Sequence, residues 1–195
     1  MRAIGTGLYA AMMLARGRPE AMQLLAQDND LAMAARSFWA AALCLPAFIC
    51  LHALDWAQTG MPAQPARGFA LDLLGYVIGW VGFALLSRHL AIALGRGARW
   101  PRFVAMWNWC NVIQYFILVI AAVPDLLGLP DIVGQTAWLA AMGWALWLEW
   151  YATRLTLDLS GLTAAALVGL DVALGLCVVG FSGSMGSPHA HETHH

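Results

Sequence analysis

The chain has 195 residues, of which 61% are hydrophobic and only 11% are charged, and its mean hydropathy is +0.67. Soluble domains usually carry about 25% charged residues, so a water-soluble monomer of this size could not bury so much apolar surface. With a formal net charge of −1, the chain lacks the basic surface that nucleic acid requires, so nucleic acid is not an expected partner. The composition predicts an integral membrane protein surrounded by the lipid bilayer.

The N-terminal region, residues 1–36, is expected to be a cytoplasmic amphipathic arm that lies at the membrane interface. Its apolar stretch from Ile4 to Ala15 is about a dozen residues long, which is too short to cross a bilayer. Arg16 and Arg18 follow directly without a cleavage motif, which disfavours a signal peptide. Insertion of this stretch as part of a sixth span is the alternative.

Residues 37–181 are predicted to form an all-α membrane domain, a bundle of five transmembrane helices. About 20 apolar residues are needed for a helix to cross the bilayer core, and five segments meet that length. None shows the period-two alternation of barrel strands, which favours helices. The predicted spans are 37–54, 69–94, 101–123, 132–151 and 162–181.

The arginines indicate how the chain is threaded. With five spans, nine of the ten arginines fall on one side of the membrane, and only Arg67 falls on the other. Short loops rich in Arg stay in the cytoplasm. We therefore expect a cytoplasmic N-terminus, an external C-terminus and a bacterial inner-membrane location.

Polar side chains inside the predicted spans are the candidate functional residues, because placing a polar group in lipid is costly. At 1.5 Å rise per residue, three of them share a depth in the cytoplasmic half and three share a depth near the middle. We expect this buried polar cluster either to join helices or to form a proton, ion or solute path through Asp171. The first three are Arg88, Asn108 and Glu149, and the second three are Asn111, Gln114 and Asp171.

Small residues four apart recur in the second and fifth predicted spans, and such spacing lets helix backbones approach closely. The pattern predicts helix packing, either within the chain or between copies. The positions are Gly75, Gly79, Gly161, Ala165, Gly169 and Ala173.

No cofactor is expected, because His52 and His89 fall roughly 20 Å apart in depth and cannot ligate one haem together. A haem held by one of them with a different second axial ligand is the alternative. The tail, residues 182–195, is predicted to be flexible and extracytoplasmic. Its imidazoles suit Zn, Ni or Cu, and weak metal binding is expected there rather than a dedicated site. These imidazoles belong to His189, His191, His194 and His195.

The sequence lacks HExxH, GxSxG and Walker motifs, so no catalytic residue is proposed and a non-enzymatic protein is expected. The leading expectation is an accessory subunit, scaffold or assembly factor that binds other membrane proteins or a second copy. The alternative is a small transporter or proton-coupled permease that uses the polar cluster around Asp171.

One stretch is similar to known proteins. The Gly/Arg-rich segment 95–103 leads into a span that contains Asn108 to Asn111, and Ala122-Val123-Pro124 follows that span. This arrangement resembles bacterial members of the Yip1-type small polytopic membrane protein family. The resemblance implies five spans, a cytoplasmic N-terminal arm and an outside C-terminus, and it implies no catalytic residue.

Overall fold

The computed structural model describes residues 2–25, 31–61 and 63–186, and within these ranges the chain is helical without any strand. Two short helices, α2 and α7, lie in connections, and a single 3-10 turn spans Gly97–Arg99. The helices are α1 (Arg2–Ala15), α2 (Ala21–Leu25), α3 (Leu31–Ser37), α4 (Trp39–Thr59), α5 (Pro65–Ala93), α6 (Trp100–Ala121), α7 (Val123–Leu126), α8 (Asp131–Leu157) and α9 (Gly161–Gly186).

Four helical stretches of the described chain are long and apolar enough to cross a membrane. They are Leu31–Thr59, Pro65–Ala93, Gly97–Leu126 and Gly161–Val178. The fourth predicted segment, 132–151, also forms a helix, because it lies within α8, which has 27 residues. Helix α8 is not among the four, since several polar residues and tryptophans lower its mean hydropathy.

Proline and cap residues set several helix ends. Pro65 begins α5 and Pro101 lies in the first turn of α6, where the missing backbone N–H costs no hydrogen bond. Helix α8 runs past the predicted end at Tyr151 and stops at Asp158, whose φ of 54° is left-handed. Ser160 then caps α9, because its Oγ accepts a hydrogen bond of 3.2 Å from the Thr163 backbone N–H.

Helix α6 is the centre of the bundle. Every residue from Phe103 to Cys110 is buried, and α6 packs against α1, α3, α4 and α8. Helix α9 packs against α5 and α8, whereas the backbones of α5 and α6 stay further apart and the two helices meet through aromatic side chains such as Phe83 and Trp107. This arrangement leaves a space between α5, α6, α8 and α9.

Two connections and the N-terminal arm meet at one end of the bundle. The Asp158 carboxylate, between α8 and α9, lies 2.8 Å from Arg99 and 3.7 Å from Arg96, which follow α5. The Tyr151 hydroxyl donates a 3.2 Å hydrogen bond to the carbonyl of Gly17, just after α1. Three regions that the arginine pattern assigns to the cytoplasm are therefore neighbours.

Helix α1 docks on α6. Its side chains Ala10, Ala11 and Leu14 are fully buried. Gly7 lies so close to the Trp109 indole that a Cβ at this position would overlap the ring. The described part of the N-terminal arm thus packs against the central helix, and its predicted position at the membrane interface is not tested by these contacts.

Candidate functional site

Two carboxyl groups face each other inside the bundle. Glu149 of α8 and Asp171 of α9 are neighbours in the wall of one cavity, and Glu149 is only 7% exposed. Two carboxylates that share a site repel each other, which favours a proton held between them. The two carboxyls can therefore act as one proton-binding pair.

Trp107 of α6 positions this pair. Its indole Nε1 donates a 3.2 Å hydrogen bond to Asp171 Oδ2. The Oε1 atom of Glu149 is buried and has no hydrogen-bond partner among the described residues.

The carboxyl pair lines a cavity of about 430 Å³, and α4, α5, α6, α8 and α9 all contribute to its wall. Small-molecule sites commonly occupy about 300–1,000 Å³, so the space suits a small organic molecule. Asn111 and Gln114 line it as well. One N–H of each amide is engaged, since Asn111 donates to the Trp107 carbonyl at 2.9 Å and Gln114 to the Ala145 carbonyl at 2.8 Å.

A second polar pair lines the same cavity. The Nδ1 atom of His52, on α4, lies 3.6 Å from Oδ2 of Asp72, on α5. Gly75 of α5 faces Val178, which lies seven residues beyond Asp171 on α9. Asp72 lies three residues from Gly75 on α5, further in the same direction along the bundle. At 1.5 Å rise per residue, the two polar pairs are about 15 Å apart along the bundle.

Aromatic rings connect the two polar pairs along one wall. Phe48 lies 4.3 Å from His52 and 4.7 Å from Tyr76, measured between ring centroids. The row continues through Trp80, at 6.0 Å from Tyr76 and 5.3 Å from Trp107. The cavity therefore has polar groups at its ends and aromatic faces between them.

The structure brings most of the predicted polar residues to this cavity. Asp171, Asn111 and Gln114 line it together, as their shared depth predicts. Glu149, which the depth argument assigned to the other group, lines it too. Residue spacing determines the position of a side chain along its helix axis, but the packing of the helices determines the direction in which each helix face points.

The two remaining polar residues lie elsewhere. Arg88 is exposed, and its guanidinium carbon lies 5.8 Å from the centre of the Trp100 ring. Asn108 is fully buried and donates a 2.7 Å hydrogen bond to Ser37 Oγ. Neither residue lines the cavity, so the expected meeting of Arg88, Asn108 and Glu149 does not occur.

Some of the predicted packing residues contact a neighbouring helix, and others contact none. A Cβ on Gly75 would lie 2.8 Å from Val178 of α9, so α5 and α9 approach closely there. Gly161 contacts Trp150, and its carbonyl accepts a 2.9 Å hydrogen bond from that indole. No atom lies within 4 Å of a Cβ built on Gly79 or Gly169. Ala165, Gly169 and Ala173 are exposed on α9.

Several residues of the cavity were missed by the sequence reasoning. Asp72, Tyr76 and Trp80 are spaced four apart on α5, so they share one helix face. That spacing, with one carboxyl and two hydrogen-bonding aromatics, was the available signal. Asp72 lies near the start of the predicted span 69–94, where a carboxyl close to the membrane surface gives no signal of a buried site.

Among the described residues, no group of three or more His, Cys, Asp or Glu side chains could hold a metal ion. The predicted weak metal ligands His189, His191, His194 and His195 lie outside the described ranges. The candidate site is therefore the cavity.

Comparisons with known protein families, with curated proteins and with solved structures find no match to this chain. The function is therefore inferred from the geometry of the cavity.

Proposed function

We propose that this protein is a five-span membrane carrier that moves a small solute through the cavity in exchange with protons on the Glu149–Asp171 pair. The observation that carries the proposal is a pair of neighbouring carboxyls, Glu149 and Asp171, in the wall of a solute-sized cavity. A protonatable group at a solute site couples the two ligands, because each changes the affinity for the other.

Helix α8 is the fifth span in this proposal. Its 27 residues extend about 40 Å at 1.5 Å per residue, which exceeds the roughly 30 Å hydrocarbon core. It packs against α6 and α9, both of which are long and apolar enough to span. Its buried Glu149 faces the cavity rather than lipid, which lowers the cost of a carboxyl in a span.

Five spans give the topology that the arginines favour. The arginine-rich regions meet at one end of the bundle, which supports placing that end in the cytoplasm of a bacterial cell. The C-terminus is then extracytoplasmic, and the protein lies in the inner membrane. This topology is also what the resemblance to the Yip1-type family implies, and membership of that family remains a prediction.

Reconstituted vesicles loaded with a pH-sensitive dye test the carrier proposal. Three solutes of similar shape cover the charge classes: choline, neutral 3,3-dimethyl-1-butanol and 3,3-dimethyl-1-butanesulfonate. We expect at least one solute to change the lumenal pH above the level of empty vesicles. Glu149→Gln and Asp171→Asn should abolish that response.

The matched control is Asp131→Asn, which changes an exposed acid at the start of α8 and should keep the response. Absence of a response to all three solutes would contradict the proposal. A response that both cavity variants retain would contradict it equally.

The second candidate function is the accessory subunit or scaffold that the sequence favours, with other membrane proteins or a second copy as partner. The exposed small-residue face of α9, formed by Ala165, Gly169 and Ala173, supports it because such faces allow close helix contact. Mild detergent extraction followed by light scattering would show a particle heavier than one chain. Gly169→Leu should dissociate that particle, whereas Gly143→Leu on an open position of α8 should not. A lone monomer under all mild conditions would exclude this role.

A further inference from the structure

The wall of the cavity indicates the charge class of the solute. We propose that the cavity binds a small organic cation, such as a quaternary ammonium or a protonated amine, against the aromatic row and the Glu149–Asp171 pair. This inference rests on the carrier function proposed above, and it adds the chemistry of the substrate.

Charge is the first argument. The cavity is lined by three carboxyl groups, those of Asp72, Glu149 and Asp171, and by one imidazole, that of His52. No arginine lines it, and the chain contains no lysine. His52 and Asp72 face each other at 3.6 Å, whereas no basic side chain of the lining accompanies Glu149 and Asp171, so the cavity favours a positive charge and disfavours an anion.

The aromatic rings are the second argument, and they separate an organic cation from a metal ion. Tyr76, Trp80, Trp107 and Tyr115 all line the cavity. A cation over such a face gains about 0.5–2 kcal/mol, and tryptophan is the strongest partner. A small inorganic ion instead requires a shell of several oxygen ligands, which an aromatic wall does not provide.

The third argument is that the carboxyl pair adjoins the aromatic row. The Trp107 indole donates a 3.2 Å hydrogen bond to Asp171 Oδ2, and Trp107, Glu149 and Asp171 all line the cavity. A cation in front of the aromatic row would therefore lie near both a ring face and a carboxyl group. The negative group and the aromatic row thus act on the same ligand.

Binding of a cation is expected to release the shared proton to water, since the cation replaces it as the countercharge. The affinity should then rise with pH, up to about tenfold per unit, while the pair is protonated. The other titratable groups that line the cavity or lie around the pair are few. They are His52 on α4, Asp72 and Tyr76 on α5, and Cys110 and Tyr115 on α6.

Tryptophan fluorescence of the full-length protein in lipid nanodiscs measures the binding directly, because Trp80 and Trp107 belong to the cavity wall. We expect choline to change the fluorescence with an affinity that rises with pH. Neutral 3,3-dimethyl-1-butanol should bind at least tenfold more weakly, and sodium chloride at the same concentration should have no effect. This comparison uses the unmodified protein, so it does not depend on the folding of a variant.

Glu149→Gln and Asp171→Asn should each abolish the rise of choline affinity with pH, and the double variant should weaken choline binding at least tenfold, whereas Asp131→Asn should do neither. Equal binding of choline and its neutral isostere would overturn the cation assignment, and the carrier proposal would stand if the vesicles respond to the neutral solute. Equal effects of sodium and choline would also overturn it. No binding of any probe, together with silent vesicles, would refute both proposals.

Discussion

Neighbouring residues of α6 belong to two polar clusters that differ in kind. Asn108 donates to Ser37 at 2.7 Å, and Ser37 donates to the Ala34 carbonyl at 2.6 Å, all in closely packed surroundings. We call this pair, Ser37 and Asn108, the closed cluster. Trp107, one residue earlier, contacts Asp171 in the wall of the cavity. The residues Trp107, Asn111, Gln114, Glu149 and Asp171 form the cavity cluster.

The difference between the clusters shows what a buried polar residue in a membrane helix means. Successive residues of an α-helix point about 100° apart, so positions 107 and 108 face different neighbours. On the closed side the polar atoms join α3 to α6, and such interhelical bonds contribute about 0.6 kcal/mol each. On the cavity side the carboxyls of Glu149 and Asp171 line open space. Access to a cavity, rather than burial, distinguishes a binding role from a structural one.

The largest expected effect comes from neutralising the cavity cluster. The double variant Glu149→Gln and Asp171→Asn should lose the solute-dependent pH response entirely, a change of at least tenfold. Its melting temperature should be unchanged or higher, because removing a buried charge relieves its desolvation cost. Vesicle assays and thermal unfolding in detergent measure the two quantities. A double variant with a normal solute response would show that the cavity cluster has no role in transport.

The closed side of α6 depends on the docking of α1, and one glycine tests it. Gly7→Ala would place a methyl group in the Trp109 ring and should cost about 1–3 kcal/mol of stability. Gly5→Ala is the matched control, because nothing lies within 4 Å of its added Cβ. Protease protection of the arm and thermal unfolding measure the loss. Equal behaviour of the two variants would mean that α1 does not pack on α6 as described.

Removing the polar bond of the closed cluster should affect stability alone. Asn108→Ala loses the hydrogen bond to Ser37 and leaves a small cavity, at a cost of about 1–2 kcal/mol. The solute response should stay within twofold of the unmodified protein. Unfolding and vesicle assays on the same preparation measure both. Loss of the solute response in a folded Asn108→Ala variant would mean that the closed cluster also takes part in transport.

The smallest effect is expected at the arginine-rich end of the bundle. Asp158→Asn removes the charge that pairs with Arg99, and asparagine still tolerates the left-handed backbone at this position. The pair is half exposed, so the loss should be at most about 1 kcal/mol and should diminish in high salt. Thermal unfolding of both proteins at two salt concentrations measures this loss of stability. A larger, salt-independent loss would indicate a structural role for Asp158 that its exposure does not predict.

The sequence predicted the helices well because their determinants are local. Apolar length and the prolines before α5 and α6 placed helix starts within a few residues, as at Pro65 against 69 and Trp100 against 101. The ends were less accurate, since α8 continues for six residues beyond Tyr151. Polar residues near the bundle end extend this helix at no cost in lipid contact, which an apolar pattern cannot reveal.

The site was predicted only in part, because it depends on how helices face one another. Depth along the helix axis placed Asp171, Asn111 and Gln114 together, and they line one cavity. The partnership of Glu149 with Asp171 depends on helix rotation and on the packing of α8 against α9. The pairing of His52 with Asp72 likewise joins two helices and has no local signal.

Solvent access to the cavity is the central claim, and one cysteine comparison tests it. In a chain whose native Cys44, Cys50, Cys110 and Cys177 are replaced by alanine, Gly79→Cys places a thiol in the open cavity wall, and Asn108→Cys places one in the closed cluster. The reagent is the membrane-impermeant cation 2-(trimethylammonium)ethyl methanethiosulfonate.

We predict that the thiol at position 79 reacts, that choline slows its reaction, and that the thiol at position 108 does not react. Equal reactivity of the two thiols, or no reaction at position 79 in a folded protein, would contradict the account.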